Sequence, residues 1–331
     1  MKAIEVQNLS KTFLVKEKEK GLKGSLRSMV KPKLKKVKAV ENISFDVEKG
    51  EILAFIGPNG AGKSTTIKML TGILYKGEGN VKVLGIDPVK NRKELAFRIG
   101  TVFGQKEQLW THLTPYDNFK FFGAIFNISD CEVEERIKEY IEVFELNEFI
   151  NTPVRNLSLG QRMRCEIVAS LIHRPEILFL DEPTIGLDPV VKDSIRNLIK
   201  RMNKEYGTTV FLTSHDIGDI EKLCKRIIIV NHGNIVMDDS MENIKYHYLN
   251  KKLVDVKMND TVLFKEEDGV ILVKSKANNL KIEVDTTKKS IGEVIKGLDT
   301  DNILDINISN IPLEKIITQI YKEGYGGVIS V

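Results

Sequence analysis

The sequence is poor in cysteine and contains no long apolar run, and each absence excludes a class of protein. Its three cysteines form no C-x-x-C pair, which gives no basis for a disulfide framework or a cysteine metal site and fits a reducing cytosol. No apolar run approaches the roughly 18 residues of a membrane-spanning helix, and the N-terminus lacks the apolar core of a signal peptide. If the protein works at a membrane, we expect it to use the helices of a partner.

The chain has the length and composition of a globular protein with one large and one small domain. It has 331 residues, of which 42% are hydrophobic, and a chain of this length usually exceeds a single core. Its net charge of +4 is unevenly distributed. Residues 16–38 contain ten Lys or Arg and two Glu, a local charge of +8 that leaves −4 for the remainder. The basic surplus therefore belongs to one segment.

Apolar patterns over residues 1–240 predict alternating strands and helices. Alternation predicts strands at 3–7 and 43–47, whereas continuous apolar runs predict strands buried in a parallel sheet. These runs lie at 52–56, 177–180 and 209–213. Helical spacing is clearest at 133–144, and the turn residues at 231–234 predict a β-hairpin. The predicted fold class is α/β with a mainly parallel sheet.

After about residue 240 the pattern changes to short β-rich runs mixed with amphipathic helices. The runs lie at 270–273, 280–284 and 303–308, and the helices at 290–298 and 313–322. We therefore expect residues 1–240 to form the larger domain and residues 241–331 a separate, small α+β domain. This smaller domain carries no recognisable chemical motif.

A glycine-rich segment after the strand predicted at 52–56 matches the pattern G-x-x-x-x-G-K-[ST]. It comprises Gly57, Pro58, Asn59, Gly60, Ala61, Gly62, Lys63 and Ser64, and Thr65 follows it. Such glycines let the backbone wrap a phosphate so that successive N–H groups point at it. Lys63 supplies a cation for the β- and γ-phosphate oxygens, and the Ser64 hydroxyl is a ligand for Mg²⁺. The alternative is an ordinary glycine-rich turn, but the strand–loop–helix setting predicts a nucleotide site.

Two carboxylates, Asp181 and Glu182, end the strand predicted at 177–180. Ligands bind at the carboxyl ends of strands in α/β sheets. By itself an acidic pair there is more often a helix cap or a solvated turn, but the phosphate loop favours a catalytic interpretation. Asp181 is then placed to hold Mg²⁺, and Glu182 is the candidate base that deprotonates the attacking water.

A third segment, residues 157–161, lies about twenty residues before the acidic pair and reads Leu-Ser-Leu-Gly-Gln. Together with the phosphate loop, it resembles the ATP-binding cassette (ABC) family over roughly residues 3–238. The segment is similar to the LSGGQ signature of that family, with Leu159 in place of a glycine. Ser158 with Gln161 also forms the pattern of a capping box that opens a helix. The two interpretations are compatible because a capped helix N-terminus attracts anions.

Four further positions match the family one by one. Gln105 resembles the Q-loop glutamine that contacts Mg²⁺ and couples to the membrane partner, and His215 resembles the switch histidine that contacts the γ-phosphate. Asp188 resembles the D-loop aspartate of the dimer interface, and Phe13 resembles the aromatic that stacks on adenine. Taken singly, Gln105 would be a solvated loop residue, His215 a helix-entry residue and Phe13 a core aromatic.

The resemblance implies a P-loop NTPase cassette with a parallel sheet core, an antiparallel β subdomain and a helical subdomain at about 105–165. It implies an ATP-hydrolysing subunit of an ABC transporter that binds ATP and Mg²⁺ at the cytoplasmic face of the cell membrane. The C-terminal domain resembles the small extension of exporter cassettes of the ABC-2 class. The implied partners are integral membrane permease subunits and a second copy of the chain, whose nucleotide would contact Ser158, Gly160 and Gln161.

Two other functions compete with transport. A soluble cassette ATPase acting on ribosomes or nucleic acid usually has a second cassette or a long coiled-coil insertion, and neither is present in the sequence. A regulatory ATP-binding protein with little turnover is disfavoured by Asp181, Glu182 and His215.

The basic segment at about 16–38 has no counterpart in most members of the family. Leu22, Leu26, Met29 and Val30 fall on one helical face, and Pro32 ends the pattern. This predicts a short basic amphipathic helix that docks on an anionic membrane surface or a partner helix. The alternative is a solvated charged loop. No specific nucleic-acid partner is expected because no aromatic residue interleaves the charges.

Overall fold

The computed structural model describes residues 1–16, 34–104, 106–214, 216–248, 250–260, 264–298 and 300–323. The chain divides into two compact units, Met1–Asp238 and Asp239–Val331. No helix in the described ranges is both long and apolar enough to cross a membrane.

The first unit alternates strands with helices along most of its length. Its strands are β1 (Lys2–Lys16), β2 (Leu34–Glu48), β3 (Ile52–Ile56), β4 (Glu78–Val83), β5 (Ile99–Phe103), β6 (Ile177–Asp181), β7 (Thr209–Thr213), β8 (Arg226–Asn231) and β9 (Asn234–Ser240). Its helices are α1 (Lys63–Leu70), α2 (Arg92–Ala96), α3 (Pro115–Ile125), α4 (Asp130–Val143), α5 (Leu159–Leu171), α6 (Pro189–Tyr206) and α7 (Ile217–Leu223), with a 3₁₀ turn at Val154–Asn156.

A six-stranded sheet in the order β5-β6-β7-β3-β8-β9 forms the centre of this unit. The pairs β5–β6, β6–β7, β7–β3 and β3–β8 are parallel, so their carboxyl ends share one edge of the sheet. In this register Asp181 lies opposite both Phe103 and Thr213. Each strand predicted in this unit is present, so those predictions are confirmed. The predicted hairpin is confirmed as well, since β8 and β9 join through His232 and Gly233, both at positive φ.

A separate antiparallel sheet, β2-β1-β4, packs on the central sheet. Phe45 of β2 lies 5.5 Å from Phe55 of β3, measured between ring centroids, and Phe55 lies 5.3 Å from Phe211 of β7. All three rings are buried. Because an aromatic side chain buries about 150–250 Å², each of these rings adds a large apolar area to the core that the two sheets share.

Strands β1 and β2 extend further than the sequence predicts. Their antiparallel pairing continues to Lys16 opposite Leu34, so residues 34–38, which the sequence assigns to the basic insertion, belong to β2. The lysines in this edge strand are exposed, and charged side chains on an edge strand discourage it from pairing with another chain. The amphipathic helix predicted from Leu22 to Val30 lies outside the described residues.

Helices between residues 105 and 171 begin at side-chain caps. The Thr114 hydroxyl accepts from the Asp117 N–H at the start of α3, and the Ser129 hydroxyl accepts from the Glu132 N–H at the start of α4. Such caps satisfy N–H groups that have no partner within the helix.

The second unit contains an antiparallel sheet in the order β11-β12-β10-β13. Its elements are α8 (Met241–Tyr248), β10 (Lys251–Met258), β11 (Val270–Lys276), β12 (Asn279–Asp285), α9 (Ile291–Lys296), a 3₁₀ turn at Thr300–Asn302, β13 (Ile303–Asn310) and α10 (Leu313–Glu323). Val254, Ile282 and Val294 belong to one buried core beneath α9. The sequence pattern predicts β11, β12, β13, α9 and α10 but misses α8 and the central strand β10.

Candidate functional site

The phosphate loop connects β3 to α1, as its motif predicts. Gly62 caps the N-terminus of α1 with φ 106°, a conformation that glycine adopts readily and L residues rarely do. A Cβ at this position would lie 2.4 Å from the Ala39 carbonyl oxygen. The second glycine of the motif is therefore required both by backbone conformation and by close packing against β2.

Lys63 is buried and turned back onto its own loop. Its Nζ donates to the Gly57 carbonyl at 2.7 Å and to the Pro58 carbonyl at 3.2 Å. Burial lowers the pKa of Lys63, while Glu182 and Asp181 act in the opposite direction. The ammonium group is thus held beside the loop by weak neutral acceptors, which phosphate oxygens can replace with stronger charge-assisted bonds.

Asp181 accepts hydrogen bonds from two hydroxyl groups at the carboxyl edge of the central sheet. The Thr213 hydroxyl donates at 2.6 Å and the Ser64 hydroxyl at 3.3 Å, both to Oδ1. Ser64 opens α1 and Asp181 ends β6, so the fold brings together two residues 117 positions apart. Hydroxyl and carboxylate oxygens are the ligands that Mg²⁺ prefers, and Mg²⁺ commonly takes its other ligands from phosphate and water.

The described residues contain no group of three or more His, Cys, Asp or Glu that could hold a metal. A Mg²⁺ site that a nucleotide completes needs only one or two protein oxygens.

Glu182 follows Asp181 with a left-handed backbone, φ 57°. Its N–H donates to the Thr213 carbonyl at 3.1 Å and to the Thr213 hydroxyl at 3.2 Å. These bonds support a conformation that normally costs a non-glycine residue on the order of 1–3 kcal/mol. Thr213 therefore fixes both carboxylate-bearing residues at the sheet edge.

Part of the phosphate loop, together with Asp181 and Glu182, lines a cleft of about 560 Å³, within the roughly 300–1,000 Å³ of small-molecule sites. The predicted residues that line it are Phe13, Asn59, Gly60, Gly62, Lys63, Ser64, Thr65, Asp181 and Glu182. Sequence reasoning missed the others, which are Ala39, Lys68, Phe103, Lys106 and Ile185. Lys68 lies five positions after Lys63, about 140° away around the same helix, so helical periodicity does not place it in the cleft.

The signature segment lies elsewhere, since none of its residues lines this cleft. Ser158 caps α5 with a capping box: its hydroxyl accepts from the Gln161 N–H at 3.2 Å, and Gln161 Oε1 accepts from the Ser158 N–H at 2.9 Å. The capping-box interpretation is therefore confirmed. Gly160 packs on α6, where a Cβ would lie 2.7 Å from Val191 Cγ1.

Asp188, also outside the cleft, caps α6. Its carboxylate accepts from the N–H groups of Val190 at 3.0 Å and Val191 at 3.1 Å. The signature segment and the residue predicted for a dimer interface thus lie side by side. Leu159 (39% exposed) and Val190 (78% exposed) present apolar surface there.

Two predicted site residues, Gln105 and His215, lie outside the described residues. Residues near them are described. Gly104 donates its N–H to the Asp181 carbonyl at 2.9 Å, and the Thr213 hydroxyl donates to the Asp181 carboxylate.

Comparison with known proteins gives a consistent result. Residues 40–185 match the family model for the ABC transporter. The ABC transporter ATP-binding protein NatA of Bacillus subtilis (strain 168) is 34% identical over 212 residues, or 64% of this chain and 86% of NatA. The bacitracin transport ATP-binding protein BcrA of Bacillus licheniformis is 32% identical over 278 residues, or 77% of this chain and 89% of BcrA.

Solved structures agree with these relatives. An ATP-binding cassette in a dimeric, post-hydrolysis state with bound ADP and Pi has a TM-score of 0.60 and 28% identity, covering 72% of this chain and 98% of that one. The phosphate loop, the paired carboxylates and the capped signature helix occur together in one unit of this chain. The chain therefore belongs to the ABC transporter family, as an ATP-binding subunit that hydrolyses ATP.

Proposed function

We propose that this subunit drives an exporter as an ATP-sandwich dimer bound to membrane permease subunits at the cytoplasmic face of the membrane. The proposal that the subunit docks on membrane permease subunits rests on a set of exposed apolar side chains beside the loop that follows β5. We define this apolar groove by Ile73, Phe97, Trp110, Phe121 and Ile125, all between 39% and 47% exposed.

The two ends of the apolar groove are connected through Phe122, whose ring centroid lies 6.3 Å from that of Trp110 and which lines the same cavity as Ile73 and Phe126. The Trp110 ring lies edge-on to Phe121 at 4.0 Å, and Phe97 lies edge-on to Phe126 at 5.6 Å, both measured between centroids. A cavity of about 220 Å³ opens beside them, lined by Ile73, Phe126 and Gln108 among others. Contiguous exposed apolar surface of this kind marks a protein interaction site, and Gln108 lies three residues after the predicted Q-loop glutamine.

The site residues predicted from the sequence have distinct roles in the proposed reaction. The phosphate loop and Lys63 would bind the β- and γ-phosphates, and Phe13 would stack on adenine. Ser64, Asp181 and Gln105 would hold Mg²⁺, which supplies charge neutralisation to the phosphates. Glu182 would accept the proton of the attacking water, and His215 would contact the γ-phosphate.

Dimerisation would bring the signature segment of a second copy over this nucleotide. The dimeric state of the similar cassette supports this arrangement, as does the exposed apolar surface at Leu159 and Val190. The capped N-terminus of α5 would then face the γ-phosphate, an arrangement that favours an anion. Ser158, Gly160, Gln161 and Asp188 would form this interface.

The direction of transport is inferred from the second unit and from the relatives. That unit is a small α+β fold with a four-stranded sheet, its size and position resemble the small extension of the exporter class, and BcrA is named for bacitracin transport. We further propose that residues 17–33 and the exposed lysines at the start of β2 contact anionic lipid. Liposome flotation of the chain with and without residues 17–33 tests this, and equal binding would contradict it.

The experiment for the main proposal is co-purification from membranes in mild detergent. The wild type should retain a polytopic membrane protein in stoichiometric amount, and Trp110→Ser with Phe121→Ser should lose it. Ile271→Ser, which changes an even more exposed apolar residue (54%) of the second unit, is the matched control and should retain it. Recovery of ribosomes, or of no membrane protein, would remove the docking proposal and leave the ATPase assignment intact.

A further inference from the structure

A buried carboxylate next to the nucleotide cleft has no role in the reaction described so far. Asp219 lies on α7, is 1% exposed and does not line the cleft. Its Oδ2 accepts from the hydroxyl of Thr184 and, at 3.3 Å, from the hydroxyl of Ser214. Its Oδ1 accepts from the guanidinium of Arg196. We call these four residues the Asp219 cluster.

The Asp219 cluster is satisfied by hydrogen bonds throughout. Thr184, Ser214 and Arg196 are themselves buried, and Arg196 also donates to the exposed Asp193 at 2.6 Å. A buried ion pair of this kind contributes little net stability, because desolvation of the two charges offsets their attraction. Its presence is better explained by the geometry that it imposes on the chain segments it joins.

Those segments are the two loops that carry the predicted catalytic groups. Thr184 lies two residues after Glu182, in the loop that leaves β6. Ser214 lies between Thr213, which donates to Asp181, and His215. One carboxylate therefore binds the loop that follows Glu182 and, at Ser214, the segment that follows Thr213.

The third partner connects the cluster to α6. Arg196 lies two turns after the start of this helix, whose N-cap is Asp188. Lys192, one turn earlier, pairs with Asp216 at 2.5 Å, and Asp216 caps α7 through the N–H groups of Gly218 and Asp219. Helices α6 and α7 are thus held together at two levels, one buried and one near the surface.

We infer that Asp219 is a positioning residue for ATP hydrolysis: it fixes the loop after Glu182 relative to the loop that carries His215. The inference rests on the roles proposed for those two residues. Displacement of a reacting group by about 1 Å can cost on the order of 100-fold in rate. Weakening the cluster should therefore slow hydrolysis while leaving ATP binding by the phosphate loop unchanged.

The test uses Thr184→Val, which keeps the shape of the side chain and removes its hydroxyl, in the full chain. We expect kcat to fall about 10- to 100-fold with the ATP dissociation constant within about twofold. Thr184→Ser restores a donor and should recover most of kcat. Ser214→Ala should act like Thr184→Val, which keeps the test informative if one variant folds poorly.

Thr208→Val is the matched control. Thr208 is as buried as Thr184, 4% exposed in each case. It directly precedes β7, whereas Ser214 directly follows that strand, and its hydroxyl donates to the Pro175 carbonyl at 3.5 Å. This variant should lower the melting temperature without lowering kcat.

Three outcomes would overturn the inference: an unchanged kcat in Thr184→Val, no recovery in Thr184→Ser, or parallel losses of kcat and ATP affinity. Glu182→Gln, measured alongside, distinguishes failure of the inference about Asp219 from failure of the proposed function. If that variant still hydrolyses ATP, the assignment of Glu182 is wrong, whatever the cluster variants do.

Discussion

Replacing Gly62 by alanine separates the two reasons for a glycine at the end of the phosphate loop. With φ at 106°, an alanine would lie outside the favoured left-handed region, which costs roughly 1–3 kcal/mol. Its Cβ would also lie 2.4 Å from the Ala39 carbonyl oxygen, and relieving such overpacking costs typically about 1–3 kcal/mol. We therefore expect the free energy of unfolding to fall by about 2–6 kcal/mol.

Gly60→Ala is the matched control in the same loop. Gly60 has φ 82°, but no atom lies within 4 Å of a Cβ built there. Only the cost of placing an alanine in a left-handed backbone conformation applies, so the free energy of unfolding should fall by about 1–2 kcal/mol.

Urea denaturation of both variants without nucleotide, together with titration of a fluorescent ATP analogue, measures the difference. Because relief of the contact shifts the backbone next to Lys63 and Ser64, Gly62→Ala should also weaken ATP binding by more than about tenfold. Equal unfolding free energies for the two variants would refute the argument that β2 restricts this position.

Three further predictions concern the cleft and the acid stability of the first unit. Glu182→Gln should reduce phosphate release by about 10²–10⁴ while ATP binding persists; unreduced release would refute the assignment of the base. Phe13→Ala should weaken ATP binding by about 1–3 kcal/mol if the ring stacks on adenine, and Phe13→Tyr should not, as measured by calorimetry. Hydrogen bonds from Lys222 and Arg196 lower the pKa of Asp193 to about 2 from an ordinary 3.8. The stability that Asp193 contributes is therefore complete above 3.8 and is lost as the pH falls towards 2. Asp193→Asn should reduce the change in urea midpoint between about pH 6 and about pH 2.5, and an identical pH profile would contradict this.

The phosphate loop and the acidic pair could be predicted from sequence because their chemistry is local. Four fixed positions between a strand and a helix specify how the backbone wraps a phosphate, and a buried strand that ends in Asp181 and Glu182 places both at the sheet edge. The capping box at Ser158 is equally local, since its two hydrogen bonds join residues only three apart.

Elements without a distinct local pattern were missed. Strand β10 is a central strand whose buried residues include the adjacent pair Leu253 and Val254, which breaks the alternation that a strand prediction needs. The length of β1 and β2 is set by their mutual pairing up to Lys16 and Leu34. The residues of either strand taken alone do not reveal this pairing.

The sequence by itself identified the family and predicted the residues that would contact the phosphates of ATP, because both depend on short segments with their own backbone chemistry. Only the tertiary structure decided which distant residues meet: Ser64 with Asp181, Ala39 with Gly62, and Asp219 with Thr184, Ser214 and Arg196. These contacts depend on the order of the strands in the sheet, β5-β6-β7-β3-β8. That order follows from the burial of complete sheet faces, a property of the whole unit rather than of any segment.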